Sequence, residues 1–344
     1  MSLQGKTALI FGGAKNLGAL VARTLAAEGA NIAIHYHGEK SASQADSLAK
    51  EIWKSHGIEV RMYQGDMTIL SIVKDVYSKV IQEFGKLDIM VNTVGMVVKK
   101  PMKDISEQEY DAMFAVNSKS AFFITQEAAN TMSDGGKIVN IVTALLGAYT
   151  GYYALYQGSK APVEWFTKGL SKELMDRGIS VNAIAPGPMD TPFFYPQETD
   201  ESVAFLKSGA IGGRLTKIQD IAPLVKFLVT EGGWITGECP LGRQFEIGGT
   251  LTTNRSGALC YRRLRNALSL MREINTAWEG HVPMSLQLLS DSKQEQHARR
   301  RVLTYRRKRA TCSLVVYLTF LELLLQTSAN AQSSAFRQNR FATA

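Results

Sequence analysis

Over residues 1 to about 253, short apolar runs alternate with longer segments whose apolar residues recur every three or four positions. The short runs predict strands at 7–11, 31–36, 59–64, 87–92, 137–142, 179–185 and 244–247. They read as continuous apolar stretches rather than as strict alternation, the pattern of strands covered on both faces. The periodic segments predict helices at 17–28, 43–56, 69–84, 107–132, 152–176 and 218–230. Repeated β–α order with right-handed crossovers implies an α/β fold: a single, mostly parallel, seven-stranded sheet, doubly wound and flanked by helices. No solenoid-type repeat interrupts it.

After Asn254 the rhythm stops. Residues 255–344 carry arginine clusters at 299–301 and 306–309, then the apolar run CSLVVYLTFLELLL at 312–325. That run is 14 residues long, contains Glu322 and is shorter than the ~20 residues of a spanning helix, so a membrane anchor is not expected. Two regions follow: a single α/β domain at 1–253 with an integral loop at about 188–212, and an Arg-rich tail at 254–344, read as disordered or as a gene-model extension.

Composition changes the picture at one point. The net charge of +8 invites a nucleic-acid reading, but residues 1–254 hold 24 basic and 26 acidic residues, a net of −2. The whole basic excess lies in the tail, so no nucleic-acid partner is expected. Three cysteines, Cys239, Cys260 and Cys312, form no CxxC, which argues against a zinc site or a disulfide framework; no metal is expected. The opening MSLQGKTALIFGG has no secretory pattern, and a cytoplasmic location is expected.

Candidate chemistry begins at FGGAKNLG, residues 11–18, where the first strand hands over to the first helix. Glycines there let a backbone approach a pyrophosphate at the helix N-terminus, although any tight βα turn uses glycine. YYALYQGSK, residues 152–160, places Tyr156 and Lys160 four apart, on one helical face. Alone, such a pair also suits a surface or interface helix.

Taken together and in order, these motifs resemble the short-chain dehydrogenase/reductase family, over residues 1 to about 253. FGGAKNLG resembles the family's TGxxxGxG turn, with Phe11 in place of threonine and Asn16 in place of the middle glycine; Asn is the non-glycine residue best suited to left-handed geometry. QGDMT resembles the adenine-side acid motif, VNTVG the NNAG motif with Thr93 and Val94 substituted, and APGPMDT the PGxxxT turn. Thr143 precedes Tyr156 by the family's serine-to-tyrosine spacing, and Asn117 matches the asparagine that kinks the long helix and holds a water beside the lysine.

The resemblance implies a Rossmann fold and an NAD(P)-dependent reductase that reversibly turns a ketone or aldehyde into an alcohol. It implies Tyr156 as general acid, Lys160 tuning it and holding the nicotinamide ribose, Thr143 orienting the carbonyl, and Asn117 anchoring a relay water. Cofactor contacts are expected from Gly12, Lys15, Asn16, Leu17, Gly18, His35, Tyr36, Asp66, Met67, Asn92, Gly95, Tyr156, Lys160, Pro186, Gly187 and Thr191. The second strand ends in His35-Tyr36-His37 rather than in an acid, and Lys15 and Lys40 offer charge to a 2′-phosphate. NADP(H) is therefore favoured over NAD(H). Met189, Phe193, Phe194 and Tyr153 are expected to line the substrate pocket; the aromatics equally suit a core or subunit contact. A small neutral carbonyl substrate and a homotetramer or homodimer, built on the helices at 107–132 and 152–176, complete the expectation. The alternatives are a 3-oxoacyl thioester reductase and, outside catalysis, an NADP-binding regulator or scaffold with weak activity.

Overall fold

A computed structural model describes residues 2–240. The strand expected at 244–247, the glycine pair 248–249 and the whole tail lie outside the described residues. Six strands follow in chain order: β1 (Thr7–Phe11), β2 (Asn31–Tyr36), β3 (Val60–Gln64), β4 (Ile89–Asn92), β5 (Lys137–Ile141) and β6 (Ser180–Ile184). Their order in the sheet is β3-β2-β1-β4-β5-β6, and every pairing is parallel. At the far edge the chain runs beside β6: Gly237 N donates to Val181 O at 2.8 Å, and Ala183 N to Glu238 O at 2.9 Å.

The described residues form eight α-helices: α1 (Asn16–Ala27), α2 (Ala42–His56), α3 (Leu70–Phe84), α4 (Glu107–Phe114), α5 (Ser120–Thr131), α6 (Ala154–Glu173), α7 (Asp200–Ser208) and α8 (Ile218–Val229). The period-2 geometry of strands sorts the core into two layers. Ala8, Ile10, Ile32 and Ile34 face one cluster with Leu25, Leu48 and Val225. Leu9, Phe11 and Ala33 face the other with Val76, Tyr77 and Ile124. Tyr77 is fully buried yet satisfied, because its hydroxyl donates to Ile124 O at 2.6 Å.

Helix ends follow local chemistry. α2 and α3 stop at Gly57 and Gly85, both left-handed, where the missing Cβ removes the steric cost. α4 starts on a capping box in which Ser106 accepts from Glu109 N and the Glu109 carboxylate accepts from Ser106 N.

Two helical expectations change. The run at 107–132 is not one helix: the π-helical turn Ala115–Lys119 separates α4 from α5, and Asn117 sits in that turn. The helix expected from 152 begins at Ala154, because Tyr152 takes φ 64°, a conformation strained for a bulky side chain. Its carbonyl accepts from Lys100 N at 2.8 Å, which ties it to the loop after β4. The segment 188–212 is not all loop, since it contains α7. Among the described residues, no helix is long and apolar enough to cross a membrane.

Candidate active site

The C-terminal ends of β1, β4 and β5 open onto two adjoining cavities, of about 810 Å³ and 330 Å³. The larger is floored by the turn between β1 and α1. Gly12 has φ 71° and Asn16 φ 49°, so Asn16 does adopt the left-handed geometry that its replacement of glycine demanded. A Cβ on Gly18 would stand 2.3 Å from Gly12 O, and one on Gly12 would stand 2.7 Å from Thr93 Oγ1. Thr93, a departure from the motif, supports this turn: its hydroxyl donates to Phe11 O at 2.8 Å.

His35 is 2% exposed. Its Nδ1 accepts from Gly12 N at 3.3 Å and its Nε2 faces Gly65 O at 3.0 Å. Those partners assign a neutral ring carrying its proton on Nε2. Burial holds the His35 pKa down to about 4, against a smaller upward effect from the Gly65 carbonyl. His35 therefore brings no positive charge to the cavity and acts as a prop beneath the glycine turn. Lys15, His37 and Lys40 also line this cavity, with Tyr36 and Glu39. Asp66 also lines the cavity, next to Met67; its Oδ1 accepts from Thr68 N at 2.9 Å and Thr68 Oγ1 at 2.8 Å.

Asn92 does not line the cavity. It is buried, its Oδ1 accepts from Val94 N at 3.0 Å and its Nδ2 donates to Asn140 Oδ1 at 3.2 Å. It shapes the loop from below, and Thr93, Val94 and Gly95 form the surface. Asn117 is likewise fully buried. Its Oδ1 accepts from Met96 N at 2.8 Å, while Nδ2 donates to Met96 O and to Ser159 Oγ, each at 2.9 Å. The π-helical turn thus clamps the main chain after β4 against α6. Behind Gly95 the space is full: a Cβ there would lie 3.1 Å from Lys160 Nζ.

Lys160 is 5% exposed and donates to Ile141 O at 3.0 Å and Val94 O at 3.3 Å. Burial lowers its pKa to about 8. Tyr156 has its pKa pushed up to about 12 by burial, with the Thr143 hydroxyl opposing the rise. Thr143 also accepts from Leu145 N at 3.3 Å.

The smaller cavity is walled by apolar groups, among them Met189, Phe193 and Phe194, with Tyr153, Thr143, Pro186 and Gly187. Tyr156 and Thr191 line both cavities, as do Met189 and Phe193. The smaller cavity also has polar lining that the sequence reading did not single out, from Lys99, Gln197, Glu198 and Ser202. No local signal marks these residues, because Lys99 and Glu198 lie 99 positions apart.

The arrangement has known counterparts. Residues 12–240 match the family described as enoyl-(acyl carrier protein) reductase. A "short-chain type dehydrogenase/reductase" from Picea abies is 34% identical, with 69% of this chain and 90% of the relative covered. A "probable tetrahydroxynaphthalene reductase" from Zymoseptoria tritici is 33% identical, over 69% of this chain and 92% of the relative. Among solved structures, a putative dehydrogenase from Burkholderia cenocepacia with bound NADP is 50% identical, covers 71% of this chain and 95% of its own, and superposes with a TM-score of 0.69.

Proposed function

We propose that this chain, an oxidoreductase belonging to the short-chain dehydrogenase/reductase family, reduces a neutral ketone or aldehyde to an alcohol with NADPH. The observation that carries the reading is the place of Tyr156, on the wall shared by the two cavities. A proton donor is needed where a hydride donor and a carbonyl meet.

The residues fit the cofactor. The cradle at Gly12 and Gly18 is one that a Cβ would fill, and it opens at the N-terminus of α1, where unpaired N–H groups favour a pyrophosphate. Lys15 and Lys40 carry the preference for a 2′-phosphate, and the bound NADP of the Burkholderia protein supports it. Asp66 and Met67 are assigned to the adenine end, and Thr191, on the wall shared by both cavities, to the nicotinamide end, with Pro186 and Gly187 beside it in the smaller cavity. When bound, the reduced nicotinamide supplies the hydride.

The chain supplies the rest. Tyr156, un-ionised with a pKa of about 12, holds the proton on Oη and passes it to the carbonyl oxygen. The Thr143 hydroxyl donates to the same oxygen and orients it. Lys160 directs two of its three N–H bonds to Ile141 O and Val94 O, which leaves one for a ribose hydroxyl; its positive charge favours the phenolate left after transfer. Asn117 fixes the main chain that receives Lys160, and Oδ1 keeps a lone pair for a relay water.

Aromatic groups on the outer faces of α5 and α6 support a homo-oligomer. Phe122 and Trp165 are 40% and 68% exposed, and Phe122 stacks edge-on with Phe166. Size-exclusion chromatography with light scattering tests this, and a monomer at micromolar concentration rejects it.

NADPH oxidation by the full chain against a panel of neutral ketones, with NADH in parallel, tests the activity. Tight NADPH binding without turnover on any carbonyl would favour the regulator reading. The description of the matching family names an acyl-carrier substrate, and the second reading is a 3-oxoacyl thioester; turnover of 3-oxoacyl-carrier thioesters alone would select it.

A further inference from the structure

The apolar cavity beside Tyr156 has one polar corner, and it is centred on Glu198. This residue precedes α7, and its side chain is 2% exposed. One carboxylate oxygen accepts from the Tyr153 hydroxyl. The other accepts from Lys99 Nζ at 2.5 Å and from the Ser202 hydroxyl. Lys99 also donates its main-chain N–H to Gln197 Oε1 at 3.0 Å, and its ammonium stands 5.5 Å from the centre of the Tyr153 ring. That ring packs edge-on to Tyr156, with centroids 6.1 Å apart. Three segments remote in sequence therefore converge on one carboxylate: the loop after β4, the N-cap of α6, and the segment after Pro186.

We propose that Glu198 is a positioning residue: it latches the segment 190–210 over the substrate cavity and turns the Tyr153 hydroxyl away, leaving Tyr156 as the proton donor that faces the carbonyl. The proposal rests on the carbonyl-reductase reading for what the cavity holds, but not for the latch.

Other attachments of this segment are few. At its base, Asp190 N donates to Thr216 O at 2.8 Å and Thr216 N to Pro188 O at 3.0 Å. Three of its large side chains are substantially exposed, Phe193 39%, Tyr195 41% and Phe205 66%, while Phe194 and Leu206 are half-buried and Val203 is buried. Apolar burial holds this segment only in part, and the buried polar cluster carries the attachment at its middle. A buried carboxylate is tolerated when its oxygens are satisfied. Burial works against the Glu198 charge, but the bonds from Lys99, Ser202 and Tyr153 outweigh it and hold the group ionised. Removing the carboxylate charge would loosen Lys99 and free the Tyr153 phenol at once.

The test compares the full chain with Glu198→Gln and with the milder Ser202→Ala, which deletes one of the three donors. Hydrogen exchange should quicken roughly tenfold in peptides spanning 190–210 of Glu198→Gln, the scale of one lost charge-assisted hydrogen bond. Ser202→Ala should move the same peptides less, and peptides of β1 and β5 should not change. The KM for a bulky aromatic ketone should rise about tenfold, with kcat within about threefold and NADPH affinity unaltered. Unchanged exchange at 190–210 would overturn the latch, and so would equal quickening across the sheet in both variants. If the wild-type chain reduces no ketone, the reductase reading fails, and the exchange data still decide the latch.

Discussion

The main-chain amide of Gly12 donates to Nδ1 of His35 at 3.3 Å, while the opposite nitrogen of the ring meets the Gly65 carbonyl at 3.0 Å. One neutral imidazole thus joins the glycine turn to the end of β3. Burial holds its pKa near 4, below the ordinary 6.5. Between those values the unfolded chain binds a proton that the folded chain refuses, so stability falls as pH drops from 6.5 toward 4. Between pH 7 and pH 5 this residue should cost about 2 kcal/mol of unfolding free energy. Urea titrations of the wild type and His35→Gln, which keeps an acceptor but does not titrate, should differ by about that amount in their pH slopes. Equal slopes would remove His35 from the account.

Tyr156→Phe should lower kcat for ketone reduction by about 10²–10⁴-fold, with NADPH affinity within a few-fold of wild type. Tyr153→Phe, whose hydroxyl bonds Glu198 rather than facing the reaction, should keep kcat within about tenfold. Steady-state kinetics of both variants decide between the tyrosines; a larger loss for Tyr153→Phe would reverse the assignment.

Lys160 is a stability liability retained in the site. Desolvation sets its folded pKa near 8, below the usual 10.5. From pH 8 to 10.5 the unfolded chain holds a proton that the folded chain has released, so the ligand-free fold gains stability as pH rises through that window. Comparison with Lys160→Met at pH 8 and 9.5 should show about 2 kcal/mol more gain in the wild type. The variant should also lose reductase activity. Parallel pH curves for the two proteins would mean that Lys160 is not desolvated.

Gly18→Ala would place a methyl group 2.3 Å from Gly12 O, a backbone atom rather than a flexible side-chain tip. The turn must then open, at about 1–3 kcal/mol. NADPH affinity measured by fluorescence should drop at least about tenfold, whereas Gly38→Ala, where an added Cβ meets nothing within 4 Å, should bind as the wild type does. Wild-type affinity in Gly18→Ala would mean that the turn is not the pyrophosphate cradle.

Much of this was legible along the chain, for reasons that stay local. The short apolar run TALIF in β1 and a three-to-four-residue apolar period in α1 reveal a strand and a helix before any contact is known. Asn16 could be placed in left-handed backbone because few residues other than glycine and asparagine accept it. The resemblance to a known family's spacing singled out Tyr156, four residues from Lys160 and 13 from Thr143.

Other features depend on groups far apart in sequence. His35 looked like a ligand at a strand end, yet it is packed beneath Gly12, because the parallel pairing of β1 with β2 sets Ile10 beside Ile34. Asn92 looked like a cofactor contact, but its amide is drawn to Asn140 on the neighbouring strand β5. The π-helical turn at Asn117 interrupts a segment whose apolar period reads as unbroken. It accompanies bonds to Met96 and Ser159 that exist only once the sheet is assembled. The cluster around Glu198 joins residues up to 99 positions apart. Periodicity, turn chemistry and short spacings act within a few residues, so the sequence by itself determined the elements, their order and the Tyr–Lys pair. Burial and hydrogen-bond satisfaction act between elements, so only the tertiary structure decided which polar side chains face the cavities and which ones hold those walls in place.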